Sequence, residues 1–155
     1  AEWQVKYVPH GIRSDLFKPV TDIPDDFKKT LFGDNEYEFI LYWNNRNIRR
    51  KQPIDVLLAF EKFRKELPEN KRDKVCILMH TAPVDENGTD LPAVINLLCS
   101  EDYKNVIIND GRYPVDKMNL LYNLSDVVGL VSSNLKLQGL LYFSANPKFK
   151  IIDLA

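Results

Sequence analysis

The sequence predicts an α/β domain organised around a parallel sheet. Short apolar runs rich in β-branched and aromatic residues recur at 39–43, 75–79, 106–108 and 127–131. They lack polar alternation, so both of their faces are covered, as in the strands of a parallel sheet. Stretches of helical period separate them, and turn-forming or polar residues follow each run.

The elements follow in order. Residues 5–8 read as a short strand, ended by Pro9, His10 and Gly11. Residues 12–23 read as loop. Residues 24–31 form a short helix, with Pro24 in its first turn and Asp25 and Asp26 at its positive end. The strand at 39–43 precedes a helix over 53–67. Val56, Phe60, Phe63 and Leu67 make its apolar stripe, Glu61, Lys62, Arg64, Lys65 and Glu66 its wet face, and Pro68 its stop. After the strand at 75–79, a polar loop over 83–90 leads to a helix with Leu91, Val94, Ile95 and Leu98 on one face. The strand at 106–108 closes on Asn109, Asp110 and Gly111. Pro114 opens a helix with Val115, Met118, Leu121 and Tyr122 inward. The strand at 127–131 ends at Ser132, Ser133 and Asn134. Strands and helices in alternation, with helices on both faces, predict a Rossmann-like, doubly wound parallel sheet in a single domain.

The chain has 155 residues, 45% of them apolar and 28% charged, with a formal net charge of −1. Wholesale binding to nucleic acid or an anionic membrane leaves a positive excess, which is absent, so any anion site is local. Cys76 and Cys99 lie in apolar runs and read as buried reduced thiols. No apolar run approaches the ~20 residues of a membrane span and no cleavable signal is visible, so a cytoplasmic protein without a transmembrane segment is expected.

Positive charge is concentrated in one place. Arg46, Arg49, Arg50 and Lys51 follow the strand at 39–43 and precede the next helix. In such folds ligands bind at the carboxyl ends of the strands, where helix N-termini already favour anions. Arg46 supplies a bidentate fork and Lys51 a compact charge, a pair suited to a diphosphate. A solvated basic loop is the other reading of the same spacing. Gly11 follows a strand, where glycine permits close approach or a positive φ; an ordinary turn is the alternative. His10 and His80 fall at strand ends, as plain polar residues or as part of a ligand edge. No metal-ligand spacing occurs, and residues 85–90 read as a turn rather than a calcium loop. The glycine fingerprints of dinucleotide oxidoreductases and P-loop enzymes are absent.

Four segments in register resemble the C-terminal, donor-binding domain of retaining, group 1 glycosyltransferases of the GT-B fold. They are VPHGI at 8–12 with Phe17 and Pro19, NRNIRRKQPIDVLLAF at 45–60, LMHTAPVDENGTDLPAVINLL at 78–98, and GRYPVDKMNLLYNLSDVVGLVSSN at 111–134. The resemblance implies half of a GT-B fold, with residues 1–134 as the donor domain and 135–155 unassigned. It implies a nucleoside diphosphate-sugar as donor substrate, of the UDP or GDP type, and neither metal nor other cofactor. Arg46 and Lys51 would hold the diphosphate, Gly11 would face the cleft, and Gly111, Arg112 and Tyr113 would line the nucleobase side. The family's two carboxylates after residue 134 are missing, its Lys-Gly is Lys51-Gln52 here, and the N-terminal acceptor domain that carries a catalytic His is missing from this sequence. No catalytic residue is therefore assigned, and the chain alone is expected to bind donor without turning it over. The alternative is a non-catalytic Rossmann-like interaction module, meeting an acidic partner or RNA through residues 46–51.

Overall fold

The computed structural model describes residues 11–98 and 103–131. The expected strand at 5–8, His10, Cys99, the 132–134 turn and the segment 135–155 lie outside the described residues. The elements are α1 (Asp25–Phe32), β1 (Phe39–Asn44), a 3-10 turn (Arg49–Lys51), α2 (Pro53–Glu66), α3 (Glu69–Arg72), β2 (Val75–His80), α4 (Leu91–Leu98), β3 (Val106–Asn109), α5 (Val115–Leu124) and β4 (Val127–Val128). The strands form one four-stranded sheet in the order β3-β2-β1-β4, and every pairing is parallel. Helices flank it, an α/β arrangement consistent with a Rossmann-like fold. Among the described residues no helix is long and apolar enough to cross a membrane.

The two faces of the sheet have separate cores, because side chains alternate along a strand. Ile40, Tyr42, Cys76 and Leu78 pack with Phe27, Leu31 and Phe32 of α1 and Leu121 of α5. Trp43, Val75, Ile77 and Met79 pack with Val56, Leu57 and Phe60 of α2 and Leu91 of α4. All five side chains from Val75 to Met79 are buried, as an unalternating run requires. Cys76 is a buried free thiol, and its burial pushes its pKa up to about 12.

Four sequence expectations need correction. The buried face of α2 is Pro53, Val56, Leu57, Phe60 and Glu61, while Phe63 is exposed. The 3.6-residue period carries the seam from Val56 and Phe60 toward Glu61 and Arg64, so Phe63 rotates outward and packs beside Phe39 at 5.4 Å between ring centroids. Glu61, placed on the wet face by polarity, is buried because it has partners. Arg64 Nε donates to it at 3.1 Å, Lys65 Nζ lies 3.3 Å away, and the Tyr103 hydroxyl donates to it. Burial opposes its charge, but these donors outweigh burial and hold its carboxyl below the ordinary range.

On α5, Val115 is exposed and Asn119 is buried in its place. Asn119 Oδ1 accepts from Lys18 N at 3.2 Å and its Nδ2 donates to Lys18 O at 3.0 Å. One turn later, Asn123 Oδ1 accepts from Val20 N at 2.9 Å. These two amides tie the 16–20 loop to the helix, an interaction that apolar periodicity does not register. The last strand is also shorter than expected. Its ladder covers Val127 and Val128 opposite Leu41 and Tyr42, after which Gly129 N donates to Tyr42 O at 2.8 Å.

Candidate functional site at the carboxyl edge of the sheet

The basic corner stands where the sequence puts it, between the end of β1 and the start of α2. Arg46, Arg49 and Arg50 are exposed and Lys51 is half-buried. Arg46 is not free. Its Nε donates to Asp85 Oδ2 at 2.8 Å and its Nη2 to Asp85 Oδ1 at 3.3 Å. The Arg46 guanidinium, with the Asn87 backbone N–H, holds the Asp85 carboxyl below its ordinary range. Lys51 has no ion pair among the described residues.

Beneath the cations the corner is bolted to the loop after β2. Asn47 is fully buried. Its Nδ2 donates to the carbonyls of Thr89 at 2.7 Å, Ala82 at 3.2 Å and Pro83 at 3.4 Å. Its Oδ1 accepts from Thr89 N at 3.2 Å. Arg49 N donates to Asn87 O at 3.3 Å. Gly88 sits so close that a Cβ there would lie 2.0 Å from the Asn47 carbonyl oxygen. The turn at 85–88 is present as expected, closed by Gly88 N to Asp85 O at 2.9 Å. Its glycine is required by this contact and not by a positive φ.

The helix entry is strained. Gln52, the residue before α2, adopts φ 48° and ψ 51°. It is the one non-glycine among the described residues with positive φ, a left-handed conformation that costs a side-chain-bearing residue about 1–2 kcal/mol. The strain lets the 3-10 turn reverse directly into Pro53, whose fixed φ and missing N–H suit the first helical position.

A second cluster occupies the same edge on the α1/α5 face. Asn44, His80 and Asn109 end their strands in one register row. His80 Nε2 lies 2.7 Å from Gly111 O, and Nδ1 lies 3.2 Å from Tyr42 Oη. The carbonyl can only accept, so in the neutral ring Nε2 carries the proton and Nδ1 accepts from the phenol. Asn44 Nδ2 donates to Tyr122 Oη at 2.9 Å, and Asn109 Nδ2 to Tyr113 Oη at 2.7 Å. Burial raises the Tyr42 phenol far above its ordinary pKa, keeping it a neutral hydrogen-bond donor.

The remaining predicted site residues fall as follows. Gly111 belongs to this cluster: its N–H donates to Asn109 Oδ1 at 2.9 Å, and a Cβ there would meet the Tyr113 ring at 3.2 Å. Tyr113 is half-buried, its ring centroid 5.6 Å from His80 and 6.3 Å from Phe27. Arg112, between them, is exposed. Gly11 has no positive φ, and a Cβ there would meet no protein atom within 4 Å, so no contact within the protein requires a glycine. Asn47, Asp85, Gly88, Tyr42 and Tyr122 also build this edge and were not singled out as site residues. The doublet Asn44-Asn45 at the end of an apolar run was the available signal, since a polar side chain at a buried corner needs partners.

Among the described residues no three His, Cys, Asp or Glu side chains gather where they could hold a metal ion. At the opposite, amino edge, Asp126 and Tyr37 line an open groove of about 750 Å³ with Lys28, Lys29 and Glu36. There, burial raises the Asp126 carboxyl above its ordinary pKa although Ile40 N donates to it. Compared with known proteins, the chain matches no protein-family model and no curated protein.

Proposed function

We propose that this chain binds a nucleoside diphosphate-sugar, as the donor-binding half of a retaining GT-B-type glycosyltransferase built on a doubly wound, Rossmann-like sheet. The observation that carries the reading is the position of the basic corner. It leaves the carboxyl end of β1, the strand from which the sheet continues to β2 and β3 on one side and to β4 on the other. Ligands of open α/β sheets bind where the strand order reverses in this way, and the N-terminus of α2 adds its dipole at the same place. Gln52 supports the resemblance independently. The family carries glycine after its lysine, and that position here has the left-handed backbone that glycine adopts without strain.

In this reading the diphosphate lies across Lys51 and Arg46. Asp85 uses the Nε and Nη2 side of the guanidinium, which leaves the Nη1 side of the five-donor fork for phosphate oxygens. Gly111, Arg112 and Tyr113 line the nucleobase side, and Gly11 faces the cleft. Charge on the departing nucleoside diphosphate would be stabilised by the cations and the helix terminus, an electrostatic contribution of about 3 kcal/mol per well-placed donor. The chain is expected to bind without turnover, because residues 135–142 carry neither of the carboxylates that the family has after this point.

Titration of ¹⁵N-labelled protein with UDP, GDP and pyrophosphate tests the reading. Binding that prefers one base, and that falls at least about tenfold in Arg46→Ala/Lys51→Ala, is the expected result. Equal binding by both proteins would overturn it. The exposure of Arg49 and Arg50 beside an already paired Arg46 favours a second reading, an interaction module that meets an acidic partner or RNA. Such binding would fall steeply with salt and ignore the identity of the nucleoside.

A further inference from the structure

We infer that Trp43, Asn45 and Thr81 form a second, deeper donor set that receives an oxyanion of the phosphate class at the carboxyl edge. The inference rests on the diphosphate reading above and names residues that neither charge nor motif singled out. Trp43 Nε1, Asn45 Nδ2 and Thr81 Oγ1 are buried side-chain atoms without a hydrogen-bond partner. Native interiors leave few such atoms, and each requires an explanation. Three of them here share the ends of two adjacent strands. Trp43 pairs with Met79 and Asn44 with His80, so Asn45 and Thr81 stand one step beyond the last pair. The two-residue period puts Trp43, Met79 and Thr81 toward α2 and α4, away from the tyrosine cluster.

Two of the three atoms, the indole Nε1 and the amide Nδ2, are donors only, and the third, the threonine hydroxyl, can donate or accept. The partner common to all three is therefore an acceptor. Trp43 and Thr81 are 0% and 6% exposed. Trp43 shares its apolar cluster with Val56 and Leu57, from the first turns of the 14-residue helix α2. Lys51 and the N-terminus of α2, whose first N–H groups have no intrahelical partner, follow Asn45 within eight residues of the chain, and both favour an anionic acceptor. A phosphate oxygen fits this combination of dipole, cation and orphan donors; a cation or an apolar group does not.

The Trp43 indole N–H is a direct probe. In the ¹⁵N-labelled 155-residue chain its resonance is identified by its loss in Trp43→Phe, which separates it from Trp3. It is then followed during titration with inorganic pyrophosphate, inorganic phosphate and UDP. The inference expects a downfield indole shift that saturates with the same Kd as the backbone amides of residues 46–55. It expects Thr81→Val to weaken pyrophosphate binding about fivefold or more, with Thr81→Ser restoring it. Corner amides that move while the indole does not, with Thr81→Val binding like the wild type, would show that a water occupies the donors. That result overturns this inference and leaves the diphosphate reading intact. An indole that responds to UDP but to neither inorganic anion also overturns it. No response to any ligand overturns both. The indole readout needs no destabilising substitution in the protein being titrated, so misfolding of a Thr81 variant does not blunt the test.

Discussion

Replacing Asn47 with alanine should remove about 3–4 kcal/mol of stability, a large share of the ~5–15 kcal/mol available to a domain of this kind. The side chain is fully buried, and its amide joins the corner after β1 to the carbonyls of Ala82, Pro83 and Thr89 and to the N–H of Thr89. Two amide protons shared among three carbonyls, plus one accepted bond, amount to about three net hydrogen bonds at ~1 kcal/mol each. Thr89 N–H and the carbonyls left behind add a desolvation cost of about 1 kcal/mol or more, because water does not reach them in a closed loop. Urea unfolding followed by circular dichroism reads the loss as a lower midpoint at constant slope. Asn47→Asp is the discriminating control. It keeps the acceptor for Thr89 N–H but turns a carboxylate toward three carbonyl oxygens, so at neutral pH it should be at least as damaging as Asn47→Ala. The introduced carboxyl would have its folded pKa raised above the ~3.9 of the unfolded chain. Its penalty is therefore present above the folded pKa and relieved as the pH falls toward the unfolded value. A loss below about 1 kcal/mol for Asn47→Ala, or an Asn47→Asp deficit that ignores pH, would refute the clamp argument.

The other predictions concern backbone, proton and thiol. Gln52→Gly should raise stability by about 0.5–1 kcal/mol, since relief of left-handed strain exceeds the added unfolded-state entropy. Gln52→Val should lower it, and matching unfolding midpoints in the two variants would show that the φ of 48° carries no strain. Burial raises the Asp126 carboxyl above its ordinary value of 3.8, so its ionised form costs stability above the folded pKa and the cost fades on acidification. Asp126→Asn keeps an acceptor for Ile40 N and should match or exceed the wild type at pH 7, with the gap closing as the pH falls. A variant less stable at pH 7 would contradict this. The Cys76 thiol, pushed up to about 12 by burial, has its thiolate suppressed on the order of a thousandfold near neutrality. In a Cys99→Ser background it should react with a disulfide reagent only after unfolding; a native-state reaction at a free-thiol rate would place it at the surface instead.

Much of this fold is local, and the local part was legible in the chain. The runs at 39–43, 75–79 and 106–108 are strands because β-branched and aromatic residues without alternation need cover on both faces. The helices at 24–31, 53–67 and around 91–98 follow from period and punctuation. The corner at 46–51 has its address from position alone, since a polar break between an apolar run and an amphipathic stretch marks a strand-to-helix turn. What tertiary structure decided is pairing between distant segments. Asp85 neutralises part of Arg46 from 39 residues away. Asn47 and Gly88 need each other although neither announces a partner, and Asn44, His80 and Asn109 become one row only through strand register. Glu61 reads as surface by polarity and is buried by Tyr103 and Arg64. Sequence pattern records how each residue meets its near neighbours and the boundary between oil and water. Hydrogen bonds and ion pairs across long chain separations depend on which edges the sheet brings together, and only the assembled sheet determines that.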